Sequence, residues 1–150
     1  MGFSLGLPGS SFKSDKLSLK YAQQLKLDNA LWNLLVPYPG TPLFCSLNTN
    51  SDVKILRDWK DEFHFGKEPK VIFETDYYKE KERLKMYYLA NLHFKNYAMF
   101  VANEKKVYNK LITILKIILK NDPYLLPYHL IRIVLQKIDN LISKRIPPTP

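Results

Sequence analysis

Residues 2–41 read GFSLGLPGSSFKSDKLSLKYAQQLKLDNALWNLLVPYPGT, and their pattern decides the fold. Gly2 to Leu7 is a mostly apolar run that stops at Pro8-Gly9, a pair that turns the chain. Leu17, Tyr21 and Leu25 then recur every four residues, which marks one face of a helix over 14–26. Ser14 stands at its start as N-cap. Asp15 falls in the first turn, where the helix dipole favours an acid. Residues 30–36, ALWNLLV, are almost unbroken apolar sequence, which suits a parallel strand covered on both faces. With strands starting at residues 2 and 30, the segment has the length of one βαβ crossover.

Working outward, Pro37-Tyr38-Pro39-Gly40-Thr41-Pro42 fixes the backbone and forbids helix or inner strand. Thr41-Pro42 looks like an N-cap followed by proline at the first helical position, opening a short helix to about Leu47. Residues 48–52 are polar and turn-forming. Residues 53–76 carry Trp59, Phe63, Phe65 and Val71-Ile72-Phe73 without a period, and are expected to wrap irregularly over the first unit. From Tyr77 the pattern is helical: 80–101, 104–120 and 127–144, with Asn121-Asp122-Pro123 breaking the second from the third. The expected division is 1–52, 53–76 and 77–150, an α/β unit followed by α. Two parallel strands do not make a stable sheet alone, and an uncovered first strand invites aggregation. Other strands are therefore expected to complete it.

The whole chain has 150 residues, 46% hydrophobic and 25% charged, a globular composition. Its single cysteine, Cys45, excludes a disulfide framework and any cysteine-rich metal site made by this chain alone. Cys45 itself reads as a small buried hydrophobe. The formal charge of +9 permits nucleic acid, anionic lipid or an acidic partner. Only four arginines (Arg57, Arg83, Arg132, Arg145) and no glycine–aromatic stacking motif argue against nucleic acid. Leu111 to Leu119, the most apolar stretch, contains Lys116 and is far shorter than a bilayer span. No basic, apolar leader opens the sequence, and Gly2 runs straight into the apolar stretch, which disfavours myristoylation. A cytoplasmic protein is the expectation, with peripheral membrane contact open to its basic helices.

Two motifs carry a resemblance: GLPGSS at 6–11, between strand and helix, and LLVPYPGT at 34–41, directly after the next strand. With PKVIFETDYYKEKERLKMYYLANLHFKNY at 69–97, they spread a resemblance over most of the chain. In this order it resembles radical S-adenosylmethionine enzymes of the class with an N-terminal cobalamin-binding domain. The resemblance implies the C-terminal strands of a partial (βα)6 TIM-like barrel with a helical C-terminal extension. It places Gly2 and Gly6 in the glycine-bracketed fifth strand beside the adenine of S-adenosylmethionine. Leu7, Pro8 and Gly9 fall in the loop that follows, and Val36, Pro37 and Tyr38 at the same end of the sixth strand. Independently of any family, glycine lets a flat heterocycle approach a backbone, and ligands of parallel folds sit at the C-terminal ends of strands.

The implied cofactors are S-adenosylmethionine, a [4Fe–4S] cluster and cobalamin. The intact family cleaves S-adenosylmethionine reductively at the cluster and uses the resulting radical, or methylates through cobalamin, on a small-molecule or lipid-like substrate. The sequence departs from the family at two points. Ser10-Ser11 stands where Glu-Thr is usual. The CxxxCxxC motif that holds the cluster through thiolates is absent. The expectation is a C-terminal fragment that supplies part of the cofactor pocket and a substrate-side cap. It is not competent alone, and its partner is the missing N-terminal portion bearing cobalamin and cluster.

Other motifs point to less. His64, His93 and His129 lie too far apart for helical metal spacing. Asp61-Glu62-Phe63-His64 reads as solvated loop, and no Gly-x-Ser-x-Gly elbow is present. GLPGSS lacks the lysine of a phosphate loop. Val107, Leu111, Ile114, Leu115, Ile118 and Leu119 form one apolar face, and Leu130, Ile133, Val134, Ile138, Leu141 and Ile142 another. Residues 104–145 hold nine Lys or Arg against three Asp or Glu. These helices pack on one another or on the barrel, or, as the alternative function, form a basic amphipathic module for a membrane surface or partner protein.

Overall fold

Glycine, small polar and aromatic residues alternate at the start of the chain, and the first strand uses that alternation to build one packed and one open face. In the computed structural model, which describes residues 1–25, 27, 29–61, 69–94, 96–101 and 106–143, β1 (Gly2–Leu5) lies parallel to β2 (Leu31–Leu34). Phe3 stands beside Trp32 and Ser4 beside Asn33. Phe3 and Trp32 stack with ring centroids 4.2 Å apart, and Leu5 and Trp32 are buried. Gly2, Ser4 and Asn33 are exposed. Glu62 to His64, Phe65 and Arg145 fall outside the described residues.

The crossover helix α1 (Phe12–Gln24) starts earlier than its apolar spacing suggests. Ser11, not Ser14, is the N-cap. The Ser11 hydroxyl accepts from the Ser14 N–H at 3.2 Å, and the Ser14 hydroxyl accepts from the Ser11 N–H at 2.8 Å, a reciprocal cap. The buried face also differs. Leu17, Tyr21 and Leu25 are exposed, while Asp15, Leu19 and Ala22 face inward and Phe12 packs beside them. Steps of three and four residues from Phe12 to Ala22 make the true seam; the acid at Asp15 disguises it as polar.

Residues 53–76, expected to be irregular, contain an antiparallel pair: β3 (Val53–Ile55) and β4 (Phe73–Thr75), with Val53 opposite Thr75. Three residues per strand are too few to print an alternation on the sequence. Leu47 of α2 (Pro42–Thr49), Ile72 and Phe73 form a small core beneath them.

α3 (Glu80–His93) joins the core of the βαβ unit. Its Met86, Tyr87 and Ala90 pack with Leu5, Ala22 and Trp32. The helix expected over 80–101 breaks after Phe94 and resumes as α4 (Tyr97–Val101), because Asn96 turns the chain with its N–H on the Asn91 carbonyl at 2.9 Å. α5 (Val107–Asn121) and α6 (Leu126–Ser143) follow, joined by a tight turn over Pro123–Leu125. Leu92, Tyr97, Val101, Ile114 and Ile118 form a further core, onto which Leu126 and Ile133 pack. No helix among the described residues is long and apolar enough to cross a membrane.

The two edges of the parallel pair are treated differently. In this register the peptide groups of Ala30 and Trp32 point away from β1, and two side chains meet them. Asn91 accepts from the Trp32 N–H at 3.4 Å and donates to the Trp32 carbonyl at 2.9 Å. Asn96 donates to the Ala30 carbonyl at 2.8 Å and to the Asn91 side-chain oxygen at 2.8 Å. The asparagines replace the strand that would otherwise lie there. On the far side, Gly2 and Ser4 turn their peptide groups to an edge that no strand among the described residues covers. The strands of the described residues form two two-stranded sheets, one parallel and one antiparallel.

Candidate functional site

The loop after β1 is shaped by left-handed glycines: Gly6 has φ of 73° and Gly9 of 79°, a region that costs other residues energy. Gly6 is tied from both sides. Its N–H donates to the Asp15 carboxylate at 2.9 Å, and its carbonyl accepts from Arg83 Nη1 at 2.9 Å. The Tyr78 hydroxyl donates to the same Asp15 oxygen at 3.0 Å, and Arg83 Nε donates to the Tyr78 carbonyl at 3.0 Å. The Arg83 guanidinium lies 4.4 Å from the Phe73 ring centroid and 4.7 Å from that of Tyr78, the stacking that guanidinium favours. A side chain on Gly6 would collide with Arg83 Nη1.

Burial dominates the electrostatics of this cluster. It raises the Asp15 carboxyl above its ordinary value, against the Gly6 N–H, Tyr78 and Arg83, which pull the other way. It raises the Tyr78 phenol, with Asp15 adding to the shift. It lowers the Arg83 guanidinium, opposed by Tyr78 and Asp15. Asp15 and Arg83 attract one another through space and both bond to Gly6 and Tyr78, which offsets the cost of burying charge, while Arg83 Nη2 has no hydrogen-bond partner among the described residues. The cluster joins β1, α1, β4 and α3 around one peptide group.

The second loop is held by its own cap. Thr41 donates to the Tyr38 carbonyl at 2.7 Å and accepts from the Phe44 N–H at 3.2 Å, while Gly40 takes φ of 81°. Tyr38 is half-exposed and its ring meets Trp59 edge-on at 6.1 Å. A concavity of about 360 Å³ is lined by Ser4, Asn33, Leu34, Val36, Tyr38 and Tyr87, within the size range of small-molecule pockets.

The eight residues picked from the sequence thus divide. Val36 and Tyr38 meet in that concavity. Pro37 lines a neighbouring one of about 270 Å³ with Arg57, Trp59 and Ile72. Gly2 lies on the open face with nothing within 4 Å of a would-be side chain. Gly6 faces Arg83, and Leu7, Pro8 and Gly9 form an exposed or half-exposed turn outside the concavity. Ser4 and Asn33, missed by sequence reasoning, share its lining; their signal was position, since polar residues in apolar strands mark the uncovered face.

His129, weighed from the sequence only as a metal ligand, is fully buried. Its Nδ1 lies 3.2 Å from the Tyr97 hydroxyl and its Nε2 3.1 Å from the Asp122 carboxylate. A neutral ring with its proton on Nε2 satisfies both, and it fastens α6 to α4 and to the end of α5. Cys45, expected to be buried, is exposed on α2, because the helix is short and buries only Leu47. No three His, Cys, Asp or Glu among the described residues gather as a metal would require. One exposed cysteine does not fit a [4Fe–4S] cluster, which needs several thiolates. Searches for similar proteins find no matching family model, curated protein or solved structure.

Proposed function

We propose that this chain is the closing part of a radical S-adenosylmethionine enzyme's partial barrel, with the exposed face of β1 and β2 and the Val36–Tyr38 loop forming one wall of the S-adenosylmethionine pocket. The observation that carries the reading is the unlike pair of edges. Asn91 and Asn96 finish the β2 side as a last strand, while the β1 side is left to receive a preceding one. Helices cover one face of the pair, and the opposite face shows Gly2, Ser4 and Asn33, as lumen-facing positions would. VPYPGT and GLPGSS at the two loops support the cofactor class.

In this role the chain's own residues bind and orient. Peptide groups at the exposed end of β1 read the adenine edge, and Tyr38 with Val36 packs against the nucleoside. The cluster and cobalamin, which supply the radical and methyl-transfer chemistry, belong to polypeptide beyond these residues. The chain has no catalysis of its own.

Titration of isotope-labelled full chain with S-adenosylmethionine, followed by NMR, tests this. The expected result is weak binding, with a dissociation constant of about 1 mM and shifts centred on Gly2, Ser4, Asn33, Val36 and Tyr38. No shift at these residues overturns the reading. Affinity tighter than about 1 μM overturns it too, because the chain would then hold a complete site.

A further inference from the structure

We infer that the outward side of α6 is a peripheral docking surface for an anionic lipid bilayer. α6 turns its apolar side away from the protein. Leu130, Ile131, Val134, Leu135 and Ile138 are each between 41% and 61% exposed. Tyr124 just before the helix is 94% exposed, and Tyr128 also faces out. Among the described side chains, α6 turns Leu126, His129 and Ile133 inward. At 3.6 residues per turn the exposed apolar positions sweep about 160° of the helix. A coiled-coil seam is a narrower stripe; an arc this wide suits a planar apolar medium in which a helix lies flat.

Charge selects the partner. Residues 104–145 carry nine Lys or Arg against three Asp or Glu, and Lys106, Lys116 and Lys120 of this region are exposed. A second basic patch adjoins. Lys13, Lys16 and Lys20 of α1, all exposed, line a groove of about 680 Å³ over Leu17 and Leu89 that reaches Asp122, two residues before Tyr124. An outward apolar side with exposed tyrosines, on a protein of net positive charge, is the combination that holds a protein at the boundary between anionic headgroups and acyl chains. No part of this surface enters the cofactor reading.

Co-sedimentation of the full chain with vesicles tests it. Vesicles of phosphatidylcholine with about a quarter phosphatidylglycerol are expected to bind at least roughly tenfold more tightly than phosphatidylcholine alone, and added salt to weaken the binding. The double variant Ile131→Asp, Leu135→Asp should lose roughly tenfold or more in affinity. Circular dichroism and melting should match the unaltered chain, because both side chains are exposed. The triple variant Lys13→Glu, Lys16→Glu, Lys20→Glu should weaken binding as well. Three results overturn the inference: no binding to anionic vesicles, equal binding by the folded double variant, or a dimer in solution that the double variant abolishes without any vesicle affinity in either form.

Discussion

Gly6 has two possible reasons to be glycine, and the geometry selects one. Next to a cofactor, a missing side chain lets a ring approach; here the space is taken by Arg83 of the same chain. The left-handed backbone makes alanine cost about 1–2 kcal/mol, and pushing the guanidinium off the Gly6 carbonyl adds about 1–3 kcal/mol. Gly6→Ala is therefore expected to lower unfolding free energy by about 2–5 kcal/mol in urea denaturation. Gly9→Ala, with open space around it, should lose only the backbone part, and equal losses for the two would contradict the account. GLPG marked both glycines as special. The reason for Gly6 was not legible, since Arg83 lies 77 residues away in sequence and reads locally as one charge among several opening a helix.

His93 gives the residue scale a pH dependence. Burial first, then the charge of Arg132, holds its imidazole below the ordinary value of about 6.5. The folded state takes up the proton less readily than the unfolded chain. This contribution to stability is present above about pH 6.5 and is lost as pH falls through the lower folded value. Denaturation of wild type and His93→Gln from about pH 7.5 to 5 should show the wild type's margin over the variant shrinking on acidification. A constant margin would refute it.

At the scale of elements, the clasp on β2 is the feature that local sequence least betrays. Asn91 sits mid-helix, where asparagine is a mediocre choice, and that oddity was the one available clue. Its side chain substitutes for a neighbouring strand. Asn91→Leu strands the Trp32 N–H and carbonyl, each a buried group worth about 1–3 kcal/mol when left unpaired. A loss of about 2–4 kcal/mol is expected, with the Trp32 amide exchanging its hydrogen at least roughly tenfold faster. Gly2 and Ser4 amides should exchange quickly in both proteins, and a protected Ser4 would sink the open-edge description. The first two strands, the crossover and the break at Asn121-Asp122-Pro123 were visible because periodicity and proline are local; β3, β4 and the break before α4 were not. The face of α1 was not, because Leu17, Tyr21 and Leu25 advertise one side while Asp15, buried by Tyr78 and Gly6, conceals the other.

At the scale of the molecule, the helical stretch after Tyr77 was legible as helix but its roles were not. α3 belongs to the same core as Leu5 and Trp32, whereas α5 and α6 build a separate one with Tyr97 and Val101. An amphipathic pattern announces that a helix has an apolar side; it does not announce that the protein covers it. Among the described side chains of α6, Leu126, His129 and Ile133 are turned in, and the richer apolar side is left out. The candidate pocket was half legible for a similar reason. Its loops carry proline and glycine signatures, but Ser4 and Asn33 become neighbours only through strand register.

The asparagine clasp also limits how this sheet grows. With hydrogen-bonding capacity free on one margin alone among the described residues, it lengthens in a single direction. Should two molecules meet margin to margin, a two-fold axis would join their first strands into a four-stranded ribbon with asparagine at both ends. Such an encounter stops at a pair instead of propagating into a fibre.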